Sequence, residues 1–151
     1  VSGCERHCKG CQNPETWDKN SGIPFGAEEV AEIFMELSEP YTAGLTLVGG
    51  EPLLPCNVPL LTELCKACKE EYPDKNIWCY TGFILDQDLL DGGKRHCEVT
   101  DEMLSYIDVL VDGPFQKDLY NISLAFRGSE NQRVIDLKQS LKQKEVILYM
   151  E

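Results

Sequence analysis

The chain opens with the stretch VSGCERHCKGCQ, residues 1–12, in which three cysteines follow the spacing C-x3-C-x2-C. Gly3 and Gly10 favour a loop here rather than a helix or a strand. Such a loop can wrap three sulfurs around one small inorganic group, and thiolates are the usual ligands of iron–sulfur clusters. The spacing therefore predicts a [4Fe-4S] cluster bound by Cys4, Cys8 and Cys11.

The number of cysteines in this loop indicates a cluster with one incomplete corner. A cubane cluster has four irons, and an electron-transfer ferredoxin normally supplies a fourth cysteine within a few residues. Here the next cysteine, Cys56, lies far along the chain. We expect one iron to stay open for a small ligand, much as a catalytic zinc site keeps a position open for its reactant.

Two other uses of these cysteines are less favoured. A zinc knuckle could use Cys4, His7, Cys8 and Cys11, but zinc sites usually take paired ligands from two separated segments. A disulfide would leave one of the three thiols over. The chain has eight cysteines and no signal-peptide pattern, which favours a reducing compartment, and we expect the cytoplasm.

Length and charge limit the remaining possibilities. The 151 residues are expected to form one domain, residues 1–151. The formal net charge of −12 argues against a duplex nucleic-acid partner, which requires a basic surface. No apolar run approaches the roughly 18 residues of a membrane span, so no membrane partner is expected. Val1-Ser2 is typical of the end of a strand, and we expect the earlier part of that strand to be missing here.

Three buried strands are predicted to end in turns at one edge of a sheet. The strands and their turns are residues 45–48 with Gly49-Gly50-Glu51-Pro52, residues 76–80 with Thr81-Gly82, and residues 108–112 with Gly113. Ligands bind at the carboxyl ends of parallel strands, and glycines there let a backbone approach closely. Thr81 and Asp112 are expected to face the ligand, although either side chain can instead form its turn.

The order of the remaining elements predicts an α/β fold. Further helices are expected at residues 28–37, 59–72 and 138–144, with a short helix capped by Thr100, and further strands at residues 134–137 and 146–149. We expect an open, partial (β/α) barrel of roughly five to six mostly parallel strands, the first truncated, because a closed barrel needs eight. Residues 85–99 (from Leu85 to Val99) are expected to be polar and irregular.

Three further features carry weaker signals. Cys65 and Cys68 form a C-x2-C pair, but both lie on the apolar face of a predicted helix, so core packing is favoured over a second cluster. The adjacent His96 and Cys97 form the one other spot with metal-binding potential, and such a pair is more often inert. Trp17 either covers the cluster or packs on the surface.

The cysteine loop, followed by Gly-Gly-Glu-Pro after a strand, resembles the radical S-adenosylmethionine superfamily. In that superfamily the open iron binds the methionine part of S-adenosylmethionine, and one electron from the cluster breaks a carbon–sulfur bond to give a 5′-deoxyadenosyl radical. Many members have an aromatic residue just before the third cysteine, where this chain has Gly10. The cofactor contacts that the resemblance implies are Gly10, Cys11, Gln12, Gly49, Gly50 and Glu51, and the positions of Thr81 and Asp112 at strand ends add these two as candidates.

Nearly the whole chain is similar to the family of activating proteins of the anaerobic (class III) ribonucleoside-triphosphate reductases. The segments that carry this resemblance are residues 2–13, 16–17, 49–53, 80–82, 108–115, 127–129 and 131–133. It implies that the adenosyl radical removes a hydrogen atom from a glycine Cα of the reductase, with a donor such as reduced flavodoxin supplying the electron. Arg127, Asn131 and Arg133 are then expected to contact the cofactor or the reductase.

Other functions remain open on the sequence alone. A pyruvate formate-lyase activase or a small deazaguanine synthase shares the cysteine loop and the Gly-Gly-Glu-Pro motif. Neither is expected to carry the Arg-Gly-Ser and Asn-Gln-Arg runs. A non-catalytic iron–sulfur or zinc module, which would carry electrons or organise structure, is the alternative from a different class.

Overall fold

A computed structural model describes all residues from 1 to 151 as a five-stranded sheet with four α-helices. The strands are β1 (Gly44–Leu47), β2 (Asn76–Tyr80), β3 (Val109–Asp112), β4 (Arg133–Asp136) and β5 (Leu148–Met150). The helices are α1 (Ala27–Ser38), α2 (Val58–Glu71), α3 (Thr100–Tyr106) and α4 (Leu137–Gln143). These bounds confirm the predicted α/β class, with shifts of one or two residues at most ends. None of the helices is long and apolar enough to cross a membrane.

The sheet has the strand order β1-β2-β3-β4-β5, and only its first half is parallel. β1, β2 and β3 run parallel, whereas β4 is antiparallel to β3 and β5 is antiparallel to β4. The prediction of mostly parallel strands was therefore wrong for β4 and β5. A parallel connection usually crosses over through a helix, and the segment between β3 and β4 contains no α-helix, only the short 3-10 helix Lys117–Leu119.

The barrel part of the prediction is not confirmed. β1 and β5 are the two edges of an open sheet, and no hydrogen-bonded ladder joins them. The backbone of Val1 does bond along β1, since its N–H donates to Val48 O and its carbonyl accepts from Gly50 N. This is the hydrogen-bond pattern of parallel strands, and it places the start of the chain beside the carboxyl end of β1.

The two faces of the sheet are covered differently. The main core lies between the helices and one face, which carries Ile77, Leu110 and Ile135. The opposite face carries a smaller apolar cluster of Val109, Val111 and Val134, against which Trp78, Tyr80 and Met150 pack. Because successive side chains of a strand point to opposite faces, one side of each central strand is packed under helices and the other is not.

The segment after β2 differs from the expected polar, irregular stretch. It begins with one π-helical turn, Leu85–Leu89, whose two leucines are fully buried in the main core. Thr100 was expected to cap α3, but it is the first residue of that helix and is buried. Its hydroxyl accepts from the backbone N–H of Cys97 at 2.9 Å, so it closes the preceding turn instead. Leu85 and Leu89 are separated by the three polar residues 86–88, which is why the sequence suggested a polar stretch.

Cys65 and Cys68 lie in the core between α2 and the sheet. Both thiols are buried, Cys65 completely, and both belong to the main apolar cluster. Burial raises the pKa of the Cys65 thiol to about 12 and also raises the pKa of Cys68, so neither is poised as a thiolate ligand. The structure supports core packing for this C-x2-C pair.

Replacing Cys68 with Ala is expected to lower the free energy of unfolding by about 1 kcal/mol, because a small buried group is lost. The iron content after anaerobic reconstitution is expected to stay at the wild-type level. Chemical denaturation and iron analysis measure the two quantities. Cys56→Ala, at an exposed cysteine, is the matched control. A Cys68→Ala protein that loses iron while Cys56→Ala keeps it would contradict the core assignment.

Candidate active site

The cysteine loop is fastened to the carboxyl end of β1 by backbone hydrogen bonds. Gly50 N donates to Val1 O and Glu51 N donates to Gly3 O, each at 2.7 Å. On its other side, Gly3 N donates to Thr16 O at 2.7 Å. Residues 1–3 therefore lie between the strand end and residues 16–17, and this fixes where the loop leaves the sheet.

Gly49 and Gly50 make this close contact possible. A Cβ added to Gly49 would lie 2.7 Å from Val1 O, and one added to Gly50 would lie 2.5 Å from Gly3 O. Gly49 also has a φ of 119°, which side chains rarely adopt. The sequence suggested that these glycines let a ligand approach. In the structure, the backbone that they admit is the start of the chain itself.

The loop turns tightly around its three cysteines. His7 and Gly10 both take left-handed backbone conformations, with φ of 48° and 80°. The N–H of Cys11 donates to Cys8 O at 3.0 Å, and the N–H of Asn13 donates to the Cys11 sulfur at 3.4 Å. A backbone N–H directed at sulfur stabilises a thiolate, which is the form that binds iron.

A pocket of about 250 Å³ lies between this loop and the ends of the strands. It brings together eight of the predicted site residues, namely Cys4, Cys8, Cys11, Gln12, Gly49, Gly50, Glu51 and Thr81. Five others do not line it: Gly10, Asp112, Arg127, Asn131 and Arg133. The remaining wall includes residues that were not predicted as site residues, among them Arg6, Tyr80, Phe115 and Gln132.

A zinc knuckle would need a fourth ligand beside the three thiols that line the pocket. No group of three or more His, Cys, Asp or Glu side chains is arranged to hold one metal ion. A zinc knuckle needs its ligands to meet around one ion, whereas a cubane presents its irons at separate corners. His7, the fourth ligand in the zinc alternative, instead stacks on Trp17 with ring centroids 4.4 Å apart.

The environment of Cys8 has opposing effects on its thiol. Burial raises its pKa, and the Arg6 charge and a hydrogen bond from the Phe115 backbone partly offset that rise.

Trp17, which was expected either to cover the cluster or to pack on the surface, stacks on His7 of the cysteine loop and does not line the pocket. Cys4, Cys8 and Cys11 line one pocket, and three thiolates are a donor set that fits a [4Fe-4S] cluster.

Glu51 connects the ends of β1 and β2. Its side chain is 1% exposed, and its carboxylate accepts from Leu53 N at 3.0 Å, Thr81 Oγ1 at 2.6 Å and Gly82 N at 2.7 Å. Burial nevertheless raises the pKa of this carboxyl. Three donors already occupy the carboxylate, so its contact with a cofactor ammonium group stays a prediction.

The Thr81 hydroxyl has a structural role of its own. It donates to Glu51 and accepts from Phe83 N at 3.1 Å, which forms the turn after β2. Of the two roles that the sequence allowed, turn formation is the one that the structure describes. A hydrogen bond from Thr81 to a ligand would require this turn to rearrange.

Asp112 does not face the pocket, contrary to expectation. It is 1% exposed, and its carboxylate accepts from Arg133 Nε at 2.9 Å and Arg133 Nη2 at 2.5 Å, and from Leu85 N at 2.9 Å. Arg133 also bonds Asp86 at 2.7 Å and thereby lowers the pKa of that carboxyl. Asp112 and Arg133 are opposite each other across β3 and β4, so this ion pair joins the two strands. The geometry gives both residues a structural role.

The Asn131–Arg133 run is organised by Gln132, which the sequence reasoning did not single out. Its Oε1 accepts from Gly128 N and Ser129 N, and its Nε2 donates to Gly113 O at 3.2 Å. Asn131 Nδ2 donates to Pro114 O at 2.7 Å. These bonds hold the two loops that follow β3 and precede β4 together beside the pocket.

Comparison with known proteins identifies the family. Residues 1–135 match the family model described as a 4Fe-4S single cluster domain. The chain is 40% identical over 141 residues, 92% of its length, to the anaerobic ribonucleoside-triphosphate reductase-activating protein of Pasteurella multocida, of which it covers 85%. The protein of the same name from Escherichia coli K12 is 40% identical over 91% of this chain and 86% of the relative.

The chain belongs to the anaerobic ribonucleoside-triphosphate reductase-activating proteins. A member of this family from Enterobacteria phage T4 is 39% identical over 89% of the chain and 79% of the relative. No solved structure matches the chain at a significant level. Membership in the activating proteins confirms the family resemblance and the expected pair of cofactors, a [4Fe-4S] cluster and S-adenosylmethionine. It also favours this family over the other superfamily members and over a zinc module.

Replacing Glu51 with Gln is expected to lower the free energy of unfolding by about 1–3 kcal/mol. The amide NH2 of Gln would confront the N–H of Gly82 or of Leu53, leaving a buried donor unsatisfied. Chemical denaturation of the metal-free protein at neutral pH measures this change without any cofactor.

Glu36→Gln, at an exposed position on α1, is the control for the Glu51 variant, and we expect no measurable change there. Equal stability of the Glu51→Gln and Glu36→Gln proteins would mean that the three buried hydrogen bonds of Glu51 do not hold the strand ends together.

Proposed function

We propose that this chain activates an anaerobic ribonucleoside-triphosphate reductase by forming a glycyl radical on it. The observation that carries the proposal is one pocket that joins three loop cysteines to the Gly-Gly-Glu end of β1, in a member of the activating-protein family. When bound, the reduced cluster supplies one electron that cleaves S-adenosylmethionine into methionine and a 5′-deoxyadenosyl radical, which takes a hydrogen atom from a glycine Cα.

The residues around the pocket would divide the work of binding. Cys4, Cys8 and Cys11 hold the cluster, and their loop stays in place because Gly49 and Gly50 admit residues 1–3. Gln12, Gly49 and Gly50 line the pocket and would contact S-adenosylmethionine, whereas Glu51 and Thr81 are engaged with each other. Thus the turn after β2 would position this part of the pocket wall, and the cysteine loop and the Gly49-Gly50 turn would provide the contacts with S-adenosylmethionine.

The face of the sheet that the helices leave uncovered is the proposed location for the glycine-bearing segment of the reductase. Tyr80 lies on that face and also lines the pocket, so the face leads directly to the site. Beside this face, the ring centroids of Phe126 and Tyr149 lie 5.0 and 5.6 Å from the ring centroid of Trp78. Contact between Trp78 on β2 and Tyr149 on β5, three strands apart, supports a sheet that curls toward a partial barrel around this face.

Three finer points belong to the same proposal. The electron comes from an external one-electron donor such as a reduced flavodoxin. The compartment is the cytoplasm, where thiols stay reduced, and this is supported by eight free cysteines. Residues 1–151 act as one domain, because a single main core joins all four helices to the sheet.

Replacing Cys4, Cys8 or Cys11 singly with Ala is expected to abolish formation of methionine and 5′-deoxyadenosine, because the cluster loses a ligand. The reaction is measured by chromatography after anaerobic reconstitution, with dithionite as the reductant. The exposed Cys56 again provides the control, and Cys56→Ala should cleave S-adenosylmethionine at the wild-type rate. Full activity in any of the three loop variants would remove that cysteine from the ligand set.

Replacing Phe126 with Ala is expected to leave S-adenosylmethionine cleavage intact but to reduce the yield of glycyl radical on the reductase about tenfold, as loss of an aromatic contact residue does. Phe126 is 56% exposed, so its truncation should not unfold the chain. Electron paramagnetic resonance measures the radical, and pyruvate formate-lyase serves as a partner that should remain without signal.

Tyr41→Ala is the control, because it removes another exposed aromatic ring, 80% exposed, that does not belong to the uncovered face. This variant should leave the radical yield unchanged. Equal yields from the Phe126 and Tyr41 variants would rule out the uncovered face as the docking surface. A radical formed on pyruvate formate-lyase and not on the reductase would refute the proposed partner.

A further inference from the structure

Arg6, in the middle of the cysteine loop, has a guanidinium group that forms no ion pair and no hydrogen bond within the chain. Its Nε is buried and has no hydrogen-bond partner. None of the six ion pairs of the protein includes it. The side chain as a whole is half-buried, but a buried N–H donor without an acceptor is costly, so Arg6 indicates a ligand that supplies the missing acceptor.

The position of Arg6 is built by its surroundings. Its guanidinium carbon lies 5.5 Å from the centroid of the buried Phe83 ring, within cation–π distance. Gly82 makes room for the side chain, because a Cβ there would lie 2.4 Å from Arg6 Cδ and 2.7 Å from Arg6 Nε. The side chain is thereby held against the turn after β2, and it lines the same pocket as Cys4 and Cys8.

The pocket itself offers Arg6 no suitable carboxylate. Glu51 is the acidic residue of the lining, and its two oxygens are already bonded to Leu53, Thr81 and Gly82. The Arg6 charge partly offsets the rise in the pKa of Glu51, but the two groups form no ion pair. The guanidinium donors of Arg6 are therefore available to a ligand with a carboxylate in this pocket. A guanidinium matches a carboxylate in both charge and planar geometry.

We propose that Arg6 binds the carboxylate of the methionine part of S-adenosylmethionine and so orients the cofactor at the cluster. The proposal rests on the proposed function, because it assumes that this pocket receives the cofactor. An acidic side chain of the reductase could offer the same chemistry. Binding measured without the reductase distinguishes the two sources.

The test compares binding of S-adenosylmethionine and of its decarboxylated analogue to the anaerobically reconstituted protein, by isothermal titration calorimetry without reductant. In Arg6→Met, the affinity for S-adenosylmethionine is expected to fall about tenfold or more, as loss of a charge-assisted hydrogen bond implies. The affinity for the decarboxylated analogue is expected to stay within about twofold, because it lacks the group that Arg6 would bind.

Arg95→Met is the matched control. Arg95 lies 5.6 Å from the centroid of the same Phe83 ring, but it pairs with Glu5 at 2.6 Å and does not line the pocket. We expect this variant to bind both compounds as the wild type does. A similar loss in Arg95→Met would mean that the effect comes from packing on Phe83 and not from a contact of Arg6 with the carboxylate.

Each remaining outcome is decisive. If Arg6→Met binds both compounds like the wild type, or loses both equally, Arg6 does not contact the carboxylate. If Arg6→Met and Arg6→Gln both fail to hold iron, Arg6 acts on cluster assembly, and the proposal is overturned. If the wild-type protein with a full cluster binds no S-adenosylmethionine, the proposed function fails first, so the two failures can be told apart.

Discussion

Close backbone contact between the start of the chain and the carboxyl end of β1 is the constraint on which the site depends. Gly49 and Gly50 allow Val1 and Gly3 to lie where any Cβ would collide with their carbonyl oxygens. The hydrogen bonds made there fix the point at which the cysteine loop leaves the sheet. Three sulfurs carried on an irregular loop can face one pocket because the start of the loop is bonded to the end of β1 and residues 16–17 bond back to Gly3 and Cys4.

The buried carboxylates of this region act mainly on the protein itself. Glu51 ties the ends of β1 and β2 together, while Asp112 with Arg133 joins β3 to β4. Both carboxylates are almost fully buried and accept several hydrogen bonds, as buried charges must. Both carboxylates are therefore held by groups of the chain itself, whereas the three loop thiols and Arg6, which also line the pocket, make no ion pair within the chain.

Local patterns predicted much of this architecture, and long-range pairing accounts for what they missed. Apolar spacing located α1 and α2, and β2 was predicted with its observed bounds, because both signals are contained within a few residues. The antiparallel direction of β4 was not predicted, because it depends on the connection between β3 and β4. The error had a consequence, because Asp112 and Arg133 become partners only in the antiparallel register of β3 and β4. Arg6 was missed for a similar reason, as Phe83 and Gly82 lie far from it in sequence.

The most direct test of this account is Mössbauer spectroscopy of the isotopically enriched, fully loaded cluster, recorded with and without S-adenosylmethionine. Three cysteine ligands leave one of the four irons of a cubane open. We therefore predict that a single iron changes its signal when the cofactor is added, while the other three keep theirs. Four equivalent irons that do not respond to the cofactor would contradict the account.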